Sequence, residues 1–359
     1  MKSTNLTFHG NGRVGYVEHN LGSLNQNEVV IESCFSAISA GSELLAFRGE
    51  LPQRTGLDPA LSNMNHKAKF PLQYGYSTVG SITHASPGLP RSLIGKNVFG
   101  FLTHGTRHRV PMDQLLLIPE GIPLEYATLI PTLETATGLV MDAAPLVGES
   151  VAILGQGMVG QMVTLLIKDM HLNQLYLVDP IRSRREAVTG LDLPFMHASP
   201  CHPDDSMFLQ SSCDLIFELT GNPQAIDRAI PRLKHEGRLI LGSWYGDKSA
   251  QVFLGEHFHQ KRLRIISSQV SHVKGELSSR ISKKDRLNFV LKLLQKLPLK
   301  MFQSKIIPFH HAQEAYEDLS SKKPTITRYI FSYDQSKEAT FVPHRNLYQH
   351  HGQPLSIRS

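Results

Sequence analysis

Residues 155–160 read Gly-Gln-Gly-Met-Val-Gly, directly after the apolar run Ser150-Val151-Ala152-Ile153-Leu154 and before an apolar segment containing Val163, Leu166 and Ile167. A strand, a G-x-G-x-x-G turn and a helix in that order give each glycine a physical task. Gly155 permits the tight turn, Gly157 lets a diphosphate approach the backbone, and Gly160 lets helix and strand pack closely. The helix start at Met158 and Val159 then offers phosphates unpaired N–H groups and a positive dipole end. A second apolar run, Leu175-Tyr176-Leu177-Val178, ends in Asp179, where a carboxylate accepts from ribose hydroxyls. The pattern predicts a nicotinamide dinucleotide site, and hence hydride transfer to or from a small organic substrate. Asp179 favours NAD, because a carboxylate repels the 2′-phosphate of NADP. Arg182, Arg184 and Arg185 follow at once and keep NADP open.

The elements that must position these residues are legible in the periodicity. From about 131 to 275, apolar runs at 150–154, 175–178, 214–217, 238–241 and 263–266 alternate with helical stretches, which predicts an α/β fold with a parallel sheet covered on both faces. Ligands bind outside the carboxyl ends of such strands. Later strand ends there carry small or polar residues: Thr220-Gly221, Ser243-Trp244 and Ser267-Ser268. Residues 1–130 are β-rich, with short apolar runs such as Val29-Val30-Ile31 broken by Gly, Pro and Asn, and no long helical period. A helix is predicted from Asp285 to Leu297, where Leu287, Val290, Leu291 and Leu294 recur at helical spacing before Pro298, and a last strand from Thr327 to Ser332. Residues 334–359 read as a polar, His-rich tail.

A chain of 359 residues suits two domains. Its 41% hydrophobic and 19% charged residues are ordinary for a soluble protein. Neither a signal peptide nor a membrane span is visible, which places the chain in the cytoplasm. Cys34, Cys201 and Cys213 are too few and too scattered for a disulfide framework or a thiolate zinc cage. The net charge of +6 is dispersed and comes without a nucleic-acid recognition motif, so a phosphate-bearing cofactor accounts for part of it. His257/His259, His310/His311 and His350/His351 lack carboxylate or thiolate companions at ligand spacing. Residues 50–69, with Arg54, Asn65, His66 and Lys67, form a polar excursion that either closes over an anionic substrate or is a passive loop.

The order of parts, a β-rich lobe, a central 155–160 fingerprint and a return to about 332, resembles the medium-chain dehydrogenase/reductase superfamily. Ser39-Ala40-Gly41-Ser42-Glu43, Gly242-Ser243-Trp244-Tyr245-Gly246 and 264–271 look like its branch of bacteriochlorophyllide dehydrogenase-like proteins. The resemblance implies a GroES-like catalytic domain over 1–130 completed by about 276–333, a Rossmann domain over 131–275, and a homodimer. Zinc-dependent relatives carry a Cys where this chain has Ala40. They carry Gly-His-Glu where it reads Gly75-Tyr76-Ser77, and a Cys or Glu in the region that here reads Pro131-Thr132-Leu133-Glu134. Catalytic zinc needs about three N, S or O ligands, so no zinc is expected. The four-cysteine structural lobe is missing too, since residues 100–119 contain no cysteine.

Without a Lewis acid another group must carry the proton. By position Ser42 matches the relay hydroxyl of alcohol-oxidising relatives, and Tyr76 replaces a metal ligand at the cleft, where its phenol could donate to a developing alkoxide. Glu43 is expected to orient an arginine, with Arg48 a partner, and Glu134 is either a general base or a helix-end carboxylate. The leading expectation is a zinc-independent, NAD-linked oxidoreductase of secondary alcohols or ketones. An NADPH-dependent quinone or enone reductase and a non-catalytic dinucleotide-binding protein are the alternatives.

Overall fold

The computed structural model describes residues 1–52, 56–57, 67–189, 198–273, 275–299, 302, 304–321, 328–334 and 340–341. Arg54, Asn65, His66, Thr327, His350 and His351, and most of the expected tail, lie outside the described residues.

The N-terminal lobe begins with β1 (Lys2–Phe8) and β2 (Val14–Asn20), an antiparallel pair. Then come β3 (Glu28–Ala37), α1 (Ala40–Arg48), β4 (Thr78–Ala85), β5 (Asn97–Gly100), β6 (Arg107–Pro111), β7 (Leu115–Leu117) and α2 (Leu124–Ala127). The nine-residue α1 has no counterpart in the sequence reading. Its apolar residues Leu44, Leu45 and Phe47 are too few to mark a helical period, and tertiary packing holds it: Leu45, Ala46 and Phe47 are buried in the lobe's core.

The middle of the chain continues with α3 (Ile130–Ala143), β8 (Ser150–Leu154), α4 (Met158–Ile167), β9 (Gln174–Val178), α5 (Arg182–Thr189), β10 (Ala198–Cys201), α6 (Ser206–Leu209), β11 (Cys213–Glu218), α7 (Gln224–Ala229), β12 (Leu233–Leu241) and β13 (Arg264–Ser267). The strands form one parallel sheet in the order β10-β9-β8-β11-β12-β13. Strand order reverses between β8 and β11, which makes this the doubly wound Rossmann arrangement with its ligand crevice at that switch point. Every residue of β8 is buried, as a strand covered on both faces requires.

The chain closes with α8 (Gly275–Ser278), α9 (Lys283–Lys296), β14 (Lys305–Pro308), α10 (Ala312–Ser320), β15 (Tyr329–Ser332) and β16 (Thr340–Phe341). Strands β14 and β15 return to the first lobe, where β15 pairs antiparallel with β3. The stretch before them packs on a separate core. Helix α9, started by a capping box between Ser282 and Asp285, buries Leu287, Val290 and Leu294 in the same core as α3, β8 and α4. Each such side chain contributes about 1.5–3 kcal/mol on burial. The same core also takes in Val79 of β4 and Phe99 of β5, so the apolar stripe of α9 packs where the two halves meet, and the β-lobe strands resume at Lys305.

Candidate active site

The glycine turn takes the form its spacing requires. Gly155 has φ +96°, and a Cβ there would meet the Leu219 carbonyl at 2.6 Å. A Cβ on Gly160 would run into the Gly155 carbonyl, whereas one on Gly157 would meet nothing within 4 Å. The second glycine thus faces the open space where a diphosphate would lie, and the first and third hold turn and helix together. Gly157 is the N-cap of α4 and has no side chain to satisfy the amides of Met158, Val159 and Gly160. Beneath the turn, Gln156 is wholly buried, and its amide nitrogen donates to the Ile153 carbonyl at 3.2 Å.

Asp179 lies against this turn. Its Oδ2 accepts from the Gln156 N–H at 2.8 Å and its Oδ1 from the Ile181 N–H at 2.8 Å. Two backbone amides therefore fix the carboxylate at the crevice, and an ionised carboxylate keeps further lone pairs for a sugar hydroxyl. Arg184 comes within 3.6 Å of Oδ2, and among the described residues its buried Nε has no hydrogen-bond partner. Arg185 instead donates to the Asp179 carbonyl at 2.6 Å.

At the later strand ends, side chains are committed to one another. Thr220 gives both its N–H, at 2.8 Å, and its hydroxyl to Oε1 of Glu218. Ser243 Oγ accepts from the Gly221 N–H at 2.9 Å, and Ser268 Oγ donates to Asp142 in α3 at 2.6 Å. Thr220, Ser243 and Ser268 therefore shape the crevice through backbone and loop position. Ser267, the last residue of β13, remains exposed. Trp244 packs onto the core of the β lobe, which Tyr76 also flanks.

On the β lobe, three hydroxyls converge. Tyr76 Oη lies 2.8 Å from Ser42 Oγ and is also hydrogen-bonded to Ser39 Oγ. Ser39 is the N-cap of α1 by position, but its hydroxyl goes to Tyr76 and caps nothing. Glu43 performs the capping role, accepting the Ser39 N–H on Oε1 at 2.7 Å. Its Oε2 accepts from Tyr316 and lies 2.9 Å from His104 Nε2, whose Nδ1 in turn lies 2.7 Å from Ser36 Oγ. The carboxylate is wholly buried. The expected Arg48 partner is not there: Arg48 points outward and binds Ser320 through Nε at 2.9 Å. A helical residue five positions on projects from a different face of α1 than Glu43, toward solvent.

Glu134 is equally removed from solvent. Its Oε1 pairs with Arg286 Nη2 at 2.9 Å, with side chains 1% and 2% exposed, so it joins α3 to α9. Burial pushes the Glu134 carboxyl above its usual range, and the Arg286 charge pulls it back. A carboxylate clamped in this way ties α3 to α9.

No family model matches the chain. It is 22% identical over 283 residues, 74% of its own length and 82% of the relative's, to 2-desacetyl-2-hydroxyethyl bacteriochlorophyllide A dehydrogenase of Cereibacter sphaeroides. A solved alcohol dehydrogenase from Escherichia coli CFT073, complexed with NADH, superposes with a TM-score of 0.72 at 15% identity, covering 92% of this chain and 99% of that one. A structure from Clostridium scindens ATCC 35704 named as a zinc-binding dehydrogenase gives 0.69 at 16% identity, covering 93% and 100%. In sequence the chain is similar to curated dehydrogenases, and it shares the fold of these solved structures.

The residues at the positions that the resemblance assigns to zinc ligands decide whether a metal fits. Here Ala40 offers no donor atom, and the Tyr76 phenol is held by two serine hydroxyls. Glu134 is locked to Arg286, and both His104 nitrogens have partners in Glu43 and Ser36. These residues do not fit a catalytic zinc. The cofactor site does fit a dinucleotide, on the open space at Gly157 and the fixed Asp179 carboxylate.

The sequence reading missed His104, Tyr316, Glu218 and Arg286, and it quoted Tyr245 in the 242–246 motif without giving it a role. A lone Arg, His or Tyr far along the chain carries no spacing signal, although Glu218 at the end of an apolar run had the same look as Asp179. The cysteines behave as packed thiols: burial raises Cys201 to about 11 and Cys213 to about 12.

Proposed function

We propose that this chain is a zinc-independent, NAD-linked oxidoreductase that moves hydride between nicotinamide and a secondary alcohol or ketone. The observation that carries the reading is the pairing of two parts. One is a glycine turn with a fixed carboxylate at the Rossmann switch point. The other is a three-hydroxyl cluster on the adjoining lobe, with Trp244 packed between strand end and lobe core.

When bound, the cofactor supplies a hydride donor or acceptor. The chain supplies the rest. The amides of Gly157 to Gly160 hold the diphosphate and Asp179 holds the ribose. In the direction of reduction, Tyr76 Oη gives its proton to the substrate oxygen and takes another from Ser39, which is part-exposed and draws its replacement from solvent, with Ser42 holding the phenol in place; in oxidation the proton runs back. A positioned acid of this kind is worth about 10²–10⁴-fold. Asp179 supports NAD over NADP, and the Arg184 side chain beside it supports retention of some NADP binding. The proposal includes a cytoplasmic setting, a small-molecule substrate and a homodimer joined through β13, the outer strand of the parallel sheet. Among the described residues no helix is long and apolar enough to cross a membrane.

Titration of the purified protein with NADH and NADPH, followed by nicotinamide fluorescence, and a screen of secondary alcohols with NAD test the reading. Binding of neither nucleotide overturns it. About one tightly bound zinc per chain after dialysis overturns the zinc-free part.

A further inference from the structure

Glu218 ends β11 in register with Leu154, the last residue of β8, so it stands at the reversal of strand order where the crevice opens. It is wholly buried, and among the described residues it forms no ion pair with Lys, Arg or His. Its carboxylate is met by neutral donors: the Thr220 N–H and hydroxyl on Oε1, and the Tyr245 phenol on Oε2. One backbone N–H and two hydroxyls therefore meet the two carboxylate oxygens, and none of the three carries a charge. Burial first, and then the Glu218 charge and hydrogen bond, push the Tyr245 phenol well above its ordinary range, which keeps it a donor.

Two further contacts clasp the loops around this charge. Gly242 N–H donates to the Glu218 carbonyl at 3.1 Å, and Gly221 N–H to Ser243 Oγ at 2.9 Å. Tyr245 packs against the Rossmann core beside β8 and β11, and the adjacent Trp244 packs on the β-lobe core that Tyr76 flanks, so the clasp joins the crevice wall to the β lobe. A buried charge without a counterion acts over several ångströms in a medium of low dielectric. The two redox forms of a nicotinamide differ by one positive charge on the ring.

We propose that the Glu218 carboxylate biases the crevice toward the oxidised, positively charged nicotinamide, with Tyr245 and Thr220 tempering its charge. The inference deepens the dinucleotide reading above and rests on it. Glu218 is a specificity-determining residue acting through space, and the readout must separate charge from scaffolding. A structural role moves the affinities for both redox forms together, whereas a charge role moves their ratio.

NADH binding is measured by fluorescence titration and NAD⁺ binding by displacement of NADH, on the wild type, Glu218→Gln and Tyr245→Phe. Glu218→Gln is expected to weaken NAD⁺ about tenfold while leaving NADH within about twofold. Tyr245→Phe keeps the charge and removes one donor, so its preference shifts toward NAD⁺. Equal losses for both forms in Glu218→Gln, or an unchanged ratio, overturn the proposal and leave the dinucleotide reading intact. If Glu218→Gln does not fold, Tyr245→Phe decides alone, and a ratio that stays put or moves toward NADH overturns the proposal. Wild-type protein that binds neither form overturns both readings.

Discussion

Replacing Glu134 by Gln separates a structural tie from a catalytic base. The substitution keeps the volume and removes the charge, leaving the Arg286 guanidinium 2% exposed and without its carboxylate. Removing one partner of a buried ion pair costs about 3–5 kcal/mol, because the remaining charge is stranded. Arg286 retains the carbonyls of Val270 and of His272, the latter at 3.2 Å, so the lower end, about 3 kcal/mol, is the expected loss. In a folding unit of this size each kcal/mol shifts the melting temperature by about 2–4 °C, which gives a drop of about 6–12 °C. Differential scanning calorimetry and urea unfolding measure it. The companion Arg286→Met and the double variant complete a cycle, and the double variant should be more stable than the sum of the single losses implies. NADH binding at a temperature where Glu134→Gln is folded should stay within about twofold of wild type, since no interaction with the crevice is removed. A loss below about 1 kcal/mol would refute the ion-pair argument, because that is the range of an exposed pair. Abolished turnover at unchanged stability would refute it in favour of the base.

Three further outcomes follow from particular contacts. Gly157→Ala should fold with little loss, since its Cβ meets nothing, yet weaken NADH binding at least about tenfold by filling the diphosphate's space; Gly160→Ala should destabilise the protein itself by collision with the Gly155 carbonyl, as melting curves on both variants will show. Tyr76→Phe should lower kcat about 10²-fold or more with NADH affinity unchanged, and full turnover would remove the phenol from the acid role. Burial lowers His108 to about 4 from 6.5, so the unfolded chain takes up a proton there before the folded one does. Stability should therefore fall as pH drops from about 6.5 to 4, by about 3 kcal/mol, and level off below; His108→Leu should flatten that part of the stability–pH profile measured by urea unfolding.

What was legible in the sequence follows from interactions that are local or periodic. The strands at 150–154, 174–178 and 213–218 announce themselves as apolar runs, and the turn at 155–160 by glycines whose need is set by φ and by the nearest backbone. Asp179 was legible because the strand and helix between it and the turn have nearly fixed lengths. Strand β10, Ala198–Cys201, was not, because Ser-Pro-Cys is no apolar run and only its parallel partner β9 makes it a strand.

The β-lobe half of the site depended on the tertiary structure. Residues 42 and 43 lie on one short helix with Ser39 at its N-cap, but Tyr76, His104 and Tyr316 reach them from three other parts of the chain. The same holds for Arg286, which pairs with Glu134 across α3 and α9, and for Tyr245, which meets Glu218 from the next strand end. Sequence alone determined the dinucleotide half, because backbone geometry over a few dozen residues dictates which residue types each position tolerates. Only the folded chain decided which buried carboxylate pairs with which donor, because a charge removed from water takes whatever partner the packing of distant segments brings within hydrogen-bond reach.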